Sequence, residues 1–237
     1  MDSWQEDQIQ SLLCLDTKEN LFNEIARITK SLGFDNCAYG LRIPYPLSRP
    51  KTILLNNYST EWKQRYLDRD YTNIDPTVHH GINSLLPLIW TDSVFKNTRE
   101  FWEEAKSFNL RVGWSQPCRD SSGICGMLSL SRPDEDISTT EFQDKLSKIL
   151  WLAQFAHLGF TNLLSQSLIP ERGYKLTPRE VSVLQWSADG KTSNEISTIL
   201  SISERTVNFH ITNAIEKLGV SNKIAASVKA AMLGLLC

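Results

Sequence analysis

The sequence predicts an α/β chain: an α/β/α sandwich over residues 1–165, a linker at 166–173, and an all-α, four-helix domain over 174–237. Three features point there. Helix-period and strand-like apolar runs alternate up to about residue 164, the pattern of a sheet covered by helices. The run Gln166-Ser167-Leu168-Ile169-Pro170-Glu171-Arg172-Gly173 has no periodicity and contains Pro and Gly, which punctuate connections. Beyond it every pattern is helical, and six of the seven tryptophans have already been used before residue 152.

The elements follow in order. Leu21, Ile25, Ile28 and Leu32 fall at helical spacing, with Gly33 as the stop. Cys37–Ile43, Thr52–Leu55 and Leu85–Trp90 are short β-rich runs, and Glu61–Asp70 and Thr98–Phe108 read as helices. Val112–Pro117 and Ile124–Ser131 read as strands around a turn at Asp120-Ser121-Ser122-Gly123. A long amphipathic helix is expected from about Ser138 to about Leu164, opened by a capping box of Ser138 and Glu141. These pieces make a mixed sheet flanked by helices. After the linker, Thr177-Pro178-Arg179-Glu180 combines an N-cap, Pro at the first helical position and Glu at the third. Gly190 ends that helix. Thr192-Ser193-Asn194-Glu195 opens a second that ends near Leu200, Ser203 caps a third that runs to Gly219, and a fourth covers about Asn222 to Leu235.

Composition narrows the function classes. The chain has 237 residues, 41% apolar and 22% charged, an ordinary globular balance. Its acidic opening, Met1-Asp2-Ser3-Trp4-Gln5-Glu6-Asp7, is unlike a secretory signal. The most apolar stretch, Ile149 to Leu164, is broken by Gln154, His157, Thr161 and Asn162, so it suits a buried helix better than a membrane span. A soluble cytoplasmic protein with no membrane partner is expected. Five cysteines, at 14, 37, 118, 125 and 237, form no C-x-x-C pair, which argues against a disulfide framework or zinc. His79, His80, His157 and His210 have no further ligand at metal spacing, so no metal and no cofactor are expected. The net charge of −2 is uneven: residues 171–237 carry 8 basic and 6 acidic side chains, a weakly positive end suited to an anionic partner.

The third C-terminal helix points to that partner. Val207, Ile211, Ala214, Ile215 and Leu218 make one apolar face, and Arg205, Asn208 and Thr212 stand opposite. The preceding helix buries Ile196, Ile199 and Leu200. Two short helices joined by Ser201-Ile202-Ser203 fit a helix-turn-helix. Asn and Thr can bond base edges or phosphates, and Arg205 or His210 can meet phosphates. A plain helical bundle with a solvated polar face produces the same pattern. Gly190-Lys191-Thr192 invites a phosphate-loop reading, but Gln185 stands where that motif needs Gly and no strand precedes it. The segments L-T-P-R-E (176–180), G-K-T-S-N-E-I (190–196), S-I-S-E-R-T-V-N-F-H (201–210) and K-L-G-V (217–220) resemble the DNA-binding domain of LuxR-type regulators. By that resemblance Glu180, Leu184 and Gly190 match near-invariant positions, and Asn208 and Thr212 face the bases. The DNA-facing set it implies is Lys191, Thr192, Arg205, Thr206, Asn208, His210, Thr212 and Lys217.

The N-terminal domain separates the subfamilies. A phospho-receiver needs an early acidic pair and a phosphorylatable Asp ending a central strand; here Thr52–Leu55 runs into Asn56-Asn57. A hydrolase using Ser129 with His79 or His80 would want a G-x-S-x-G elbow, which is absent, so no enzyme is expected. Instead Tyr58, Trp62, Tyr66, Tyr71 and Asp75-Pro76 form a Y-x3-W-x3-Y-x4-Y-x3-D-P run, with Trp62 and Tyr66 on one helix face. With Trp90, Phe101-Trp102, Gly113 and Ser129, this resembles the autoinducer-binding domain of quorum-sensing LuxR-type receptors. The resemblance implies an N-acyl-homoserine lactone ligand. Trp62 would donate to the lactone carbonyl, Asp75 accept from the amide N–H, and Tyr58 and Ser129 bond the amide carbonyl. Tyr66, Val78, Trp90, Phe101, Ala105, Leu110 and Gly113 complete the expected pocket. It further implies a transcription factor that binds double-stranded palindromic DNA as a homodimer, and it admits RNA polymerase as a partner. The N-terminal helices and the helix at 138–164 are the expected dimer surfaces.

Overall fold

A computed structural model describes residue 12 and residues 14–120, 123–168 and 175–236. Most of the expected linker, and the turn residues Ser121 and Ser122, lie outside this set. The chain divides into two compact units, one of residues 1–43, 52–120 and 124–164, the other of residues 44–51, 121–123 and 165–237.

Helix α1, Lys18–Ser31, is capped by the Thr17 hydroxyl, which accepts from the Asn20 N–H at 3.2 Å, and it buries Leu21, Ile25 and Ile28. The sheet follows: β1 Asn36–Ile43, β2 Lys51–Asn56, β3 Leu88–Ile89, β4 Val112–Arg119 and β5 Cys125–Arg132, in the order β2-β1-β5-β4-β3. Between β2 and β4 lie α2 (Thr60–Asp68), a single 3₁₀ turn (Tyr71–Asn73), α3 (Pro76–Asn83) and α4 (Arg99–Ser107). Helix α5, Thr139–Leu168, closes the N-terminal unit and continues into the segment expected to be linker.

The expected mixed sheet is antiparallel in the pairings β1–β5, β4–β5 and β3–β4. Parallel neighbours need a crossover of a dozen or more residues, and the few residues between Arg119 and Cys125 permit only a hairpin. The expected strand Leu85–Trp90 shrinks to Leu88–Ile89. Leu85 and Leu86 are exposed, and Pro87 has no N–H to give to the ladder.

Side-chain alternation gives the sheet two different faces. On one, Tyr39 stacks on Phe160 of α5 at 4.5 Å and Trp114 on Phe142 at 4.6 Å, with Leu128 and Leu130 fully buried between them. The other face carries small or polar residues, among them Ala38, Gly40, Ser115 and Ser129, and is covered by α2, α3 and α4. The arrangement is the expected α/β/α sandwich. Its end is tied by Arg132, whose guanidinium donates in a bidentate manner to both Glu141 oxygens at 2.8 Å, with Lys145 as a third partner. Only half of the expected capping box forms. The Ser138 hydroxyl accepts from the Glu141 N–H at 3.1 Å, while the Glu141 carboxylate goes to Arg132. The Arg132 bonds, reinforced by Lys145 and opposed by burial, lower the Glu141 pKa to about 2.

The C-terminal unit contains α6 (Pro178–Ala188), α7 (Ser193–Leu200), α8 (Glu204–Leu218) and α9 (Lys223–Met232). Full capping boxes open α6 and α7, from Thr177 with Glu180 and from Thr192 with Glu195. Helix α9 stops at Met232, before the expected Leu235, because Gly234 at φ 67° turns the backbone left-handed and Leu235 N–H bonds back to Ala230 O. Val183, Ile196, Val207 and Ile211 form one core cluster, and Leu184, Ala214, Leu218, Ala226 and Ala230 another, whereas Ile199, expected to be buried, is exposed.

Candidate functional site

A cavity of about 310 Å³ lies between the polar face of the sheet and the α2–α4 cover, inside the size range of small-molecule sites. Its roof is aromatic. Trp62, Tyr71, Phe95, Phe101 and Trp102 pack together, with Tyr71–Phe101 centroids 4.9 Å apart and Phe95 stacked on Trp102 at 4.1 Å.

Polar groups gather at one end. Asp75 caps α3, as an Asp before Pro often does. Its Oδ1 accepts from both the N–H and the hydroxyl of Thr77 at 2.8 Å, and its Oδ2 accepts from the Tyr66 hydroxyl at 3.0 Å. A carboxylate offers about four acceptor positions, so capacity remains for a donor from the cavity. Burial raises the Asp75 pKa, and the Thr77 and Tyr66 bonds pull it part of the way back. Burial also raises the Tyr58 and Tyr66 phenols, with the Asp75 charge adding to both, so both remain protonated donors. Trp62 is 2% exposed and lines the cavity, and among the described residues its indole N–H has no acceptor. On the floor, Trp90 Nε1 donates to Ser115 Oγ at 2.9 Å, and Ser115 Oγ lies 2.8 Å from Ser129 Oγ. That chain orients the Ser129 hydroxyl beside the cavity. The end is therefore a mixed site of buried donors and one buried acceptor, and the rest is apolar. It suits a ligand with adjoining carbonyl and N–H groups on a hydrocarbon tail.

In the second unit, α7 and α8 are joined by Ser201, left-handed at φ 54°, and the α8 cap Ser203. Arg205, Asn208 and Thr212 are exposed along one side of α8, and Ser193 Oγ donates to Asn208 Oδ1 at 2.8 Å. Arg205 makes no ion pair among the described residues, and Phe209 beside it is 60% exposed.

These two geometries have known counterparts. Residues 17–160 match the autoinducer binding domain and residues 174–230 the family of bacterial regulatory proteins of the luxR type. The chain is 43% identical to the transcriptional activator AnoR of Acinetobacter nosocomialis, over all of both chains. It is 34% identical to the quorum-sensing regulator RhlR of Pseudomonas aeruginosa, covering 98% of this chain and 96% of that one. A crystal structure of Escherichia coli SdiA superposes with a TM-score of 0.84 at 31% identity, covering 99% of this chain and 98% of that one.

The chain belongs to the LuxR family of quorum-sensing transcriptional regulators. It is an autoinducer-binding, DNA-binding regulator and not an enzyme. The histidines of the discarded hydrolase reading do not line the cavity that Ser129 lines: His79 Nδ1 is bonded to Asn83, and His80 Nε2 to Leu86 O at 2.7 Å. Among the described residues no cluster of His, Cys, Asp or Glu is arranged for a metal, and no helix is long and apolar enough to cross a membrane.

Within this LuxR-type frame, Tyr58, Trp62, Tyr66, Asp75, Val78, Trp90, Phe101, Ala105, Leu110 and Ser129 all line the one cavity. Gly113 does not line it. A Cβ there would sit 2.1 Å from the Trp90 ring, so Gly113 lets the Trp90 indole lie against β4. Thr77 and Ser115 were not singled out. Thr77 was legible in principle, since a capping Asp bonds an N–H in the first turn. Ser115 becomes visible only through its pairing with Ser129 across β4 and β5.

The expected DNA set divides. Arg205, Asn208 and Thr212 stand open, and His210 is half-buried against the Phe209 ring. Thr192 and Thr206 serve helix starts, Thr192 as the α7 cap and Thr206 bonded to Ser203 at 2.8 Å. Lys191 offers its backbone carbonyl to Lys223 at 2.9 Å. Lys217 pairs with the buried Glu180 at 2.8 Å. Burial raises the Glu180 pKa, but the bonds from Lys217 and Thr177 outweigh it and leave the carboxyl below its ordinary value.

Proposed function

We propose that the autoinducer is an N-acyl-homoserine lactone, and that the liganded protein binds palindromic promoter DNA as a dimer to activate transcription. The observation that carries the ligand assignment is the polar end of the cavity. An indole N–H without an acceptor among the described residues, a buried carboxylate, two protonated phenols and a relayed serine hydroxyl line one apolar channel. Trp62 then donates to the lactone carbonyl, Asp75 accepts from the amide N–H, and Tyr58 and Ser129 bond the amide carbonyl. Arg205 contacts phosphate while Asn208 and Thr212 read bases. A second copy would cover the exposed Leu150 and Leu158, which share a stripe of α5 with the paired rings of Trp151 and Phe155.

A second reading has its own support: SdiA has also been solved in complex with octanoyl-rac-glycerol, with a TM-score of 0.83 to this chain. An acylglycerol offers an ester carbonyl and hydroxyls but no amide N–H for Asp75. Mass spectrometry of ligand extracted from protein purified after growth with both compounds decides between them. Recovery of the lactone supports the proposal, and recovery of acylglycerol alone rejects it.

A further inference from the structure

The far half of the cavity bears on chain length, and this inference rests on the lactone reading. The floor is a ladder of cross-strand pairs between β1 and β5: Ala38 opposite Ser129, Gly40 opposite Met127, and Arg42 opposite Cys125. All six residues line the cavity. The first pair is buried and belongs to the polar end. Arg42 and Cys125 in the third are half-buried, and Leu54, another lining residue, is 46% exposed. The channel therefore starts closed at Ser129 and opens beyond Cys125.

Position 40 lies between those ends. A Cβ built on Gly40 meets nothing within 4 Å, and Gly40 does not adopt a positive φ, so the backbone does not require glycine there. Glycine inside a strand is a disadvantage for stability and often marks close approach of a ligand. The other cavity glycines differ. A Cβ at Gly81 would press on Met127 Sδ at 2.8 Å, and one at Gly126 would strike His157 Nδ1 at 2.4 Å. Those two are needed for packing, whereas Gly40 only leaves space.

We propose that Gly40 sets acyl-chain specificity, by leaving open a tail channel for chains of about ten to twelve carbons. Ser129 and Cys125 are four residue steps apart, so at roughly 3.4 Å per step the floor runs about 14 Å. An extended hydrocarbon advances roughly 1.3 Å per carbon, from the ~1.5 Å bond and its zigzag. A carbonyl held at Ser129 thus places about the tenth further carbon over Cys125. Any branched side chain at 40 stands in that path.

The test measures binding of homoserine lactones with acyl chains of four to fourteen carbons, by calorimetry, to wild type and to Gly40→Ala and Gly40→Val. For wild type, affinity is expected to climb roughly fourfold per methylene up to ten to twelve carbons and then level off. Gly40→Val, a good strand former, is expected to lose at least a hundredfold for twelve carbons while holding six carbons within about threefold. Gly40→Ala falls between. A second measurement needs no variant. A ten-carbon acyl lactone ending in a bromoacetyl group is expected to alkylate Cys125, releasing bromide, and a four-carbon analogue is not. Long-chain binding undiminished in Gly40→Val, a wild-type optimum at four to six carbons, or equal labelling of Cys125 by both reagents overturns the assignment of Gly40 while leaving the lactone reading intact. Failure of wild type to bind any homoserine lactone overturns that reading, and the chain-length inference falls with it.

Discussion

Asp75 caps α3 and anchors the Tyr66 hydroxyl, and in the proposed complex it also accepts a ligand N–H. Removing it strands Thr77, Tyr66 and the ligand donor together. Asp75→Ala is therefore expected to weaken lactone binding by about 1.5–3 kcal/mol, roughly ten- to 150-fold, in calorimetry. Trp62→Phe keeps the ring in the aromatic roof and loses one neutral hydrogen bond, about 0.5–1.5 kcal/mol. Wild-type affinity from both variants would remove these residues from the ligand's polar head. The raised Asp75 pKa adds a pH dependence. A ligand N–H favours the carboxylate, so binding lowers the Asp75 pKa, and affinity stays level above the pKa of the free protein and declines as pH falls through it. The decline should begin at higher pH than for an ordinary Asp near ~3.9, and Asp75→Asn should abolish it. The cavity residues were legible through a resemblance, carried by the Y-x3-W-x3-Y-x4-Y-x3-D-P run, and locally only the Trp62–Tyr66 helix face and the Asp75-Pro76 helix start could be read from spacing. Ser115 and Gly40 were not, because their roles depend on strand register and on space left by an absent side chain, neither of which a one-dimensional pattern records.

At the scale of elements, two joints decide how the parts hold. The Arg132–Glu141 pair fastens α5 to β5. Glu141 has its pKa lowered to about 2, so its contribution is complete above the unfolded value of ~4.3 and disappears as pH falls from there toward 2. The difference in melting temperature between wild type and Glu141→Gln is thus expected to be constant above about pH 5 and to shrink steadily below it. A difference that does not change down to pH 2.5 would show that the pair contributes nothing as an ion pair. In the second unit, the open side of α8 makes the complementary forecast. Asn208→Ala is expected to cost about 1–3 kcal/mol on the cognate operator and little on scrambled DNA, whereas Arg205→Ala weakens both and lowers the salt slope by about 1. Gel-shift titrations over a salt series measure both, and equal losses on the two DNAs would discard Asn208 as a base reader. The helices were legible from caps and stops, Thr177, Thr192, Ser203 and Gly219 above all, because those signals act within one turn. Strand β3 was overestimated because an apolar run says nothing about which residues enter a ladder, and only Leu88 and Ile89 pair in register with β4. Glu141 was misjudged for the same reason: its capping partner is local, but Arg132 competes from the neighbouring strand and wins with two charged bonds.

Across the whole molecule, the cavity ties folding to signal. Its walls come from β1, β2, α2, α3, α4 and β5, so a ligand filling it would touch most of the N-terminal unit at once. Without ligand, the aromatic roof faces a cavity of about 310 Å³. An unfilled apolar cavity lowers the stability of the fold around it. A ligand that binds only the folded form restores RT ln(1 + [L]/Kd), about 2.7 kcal/mol at a hundredfold excess, a large share of the 5–15 kcal/mol that holds an ordinary domain. The C-terminal helices have two core clusters of their own, built from residues between Leu176 and Leu236. On the proposed reading, the ligand supplies a folded N-terminal unit that pairs with a second copy and brings two α8 helices to half-sites one helical turn apart. Soluble yield, dimer fraction and operator affinity are accordingly expected to rise together when a long-chain lactone is added during expression, followed by light scattering and gel shift on the same preparations. The fragment 171–237 is expected to give a cooperative thermal transition unaffected by lactone, to remain monomeric, and to bind DNA weakly. A full-length protein that is stable, dimeric and tight on its operator without lactone would break this coupling, and would mean that the ligand adjusts a preformed dimer.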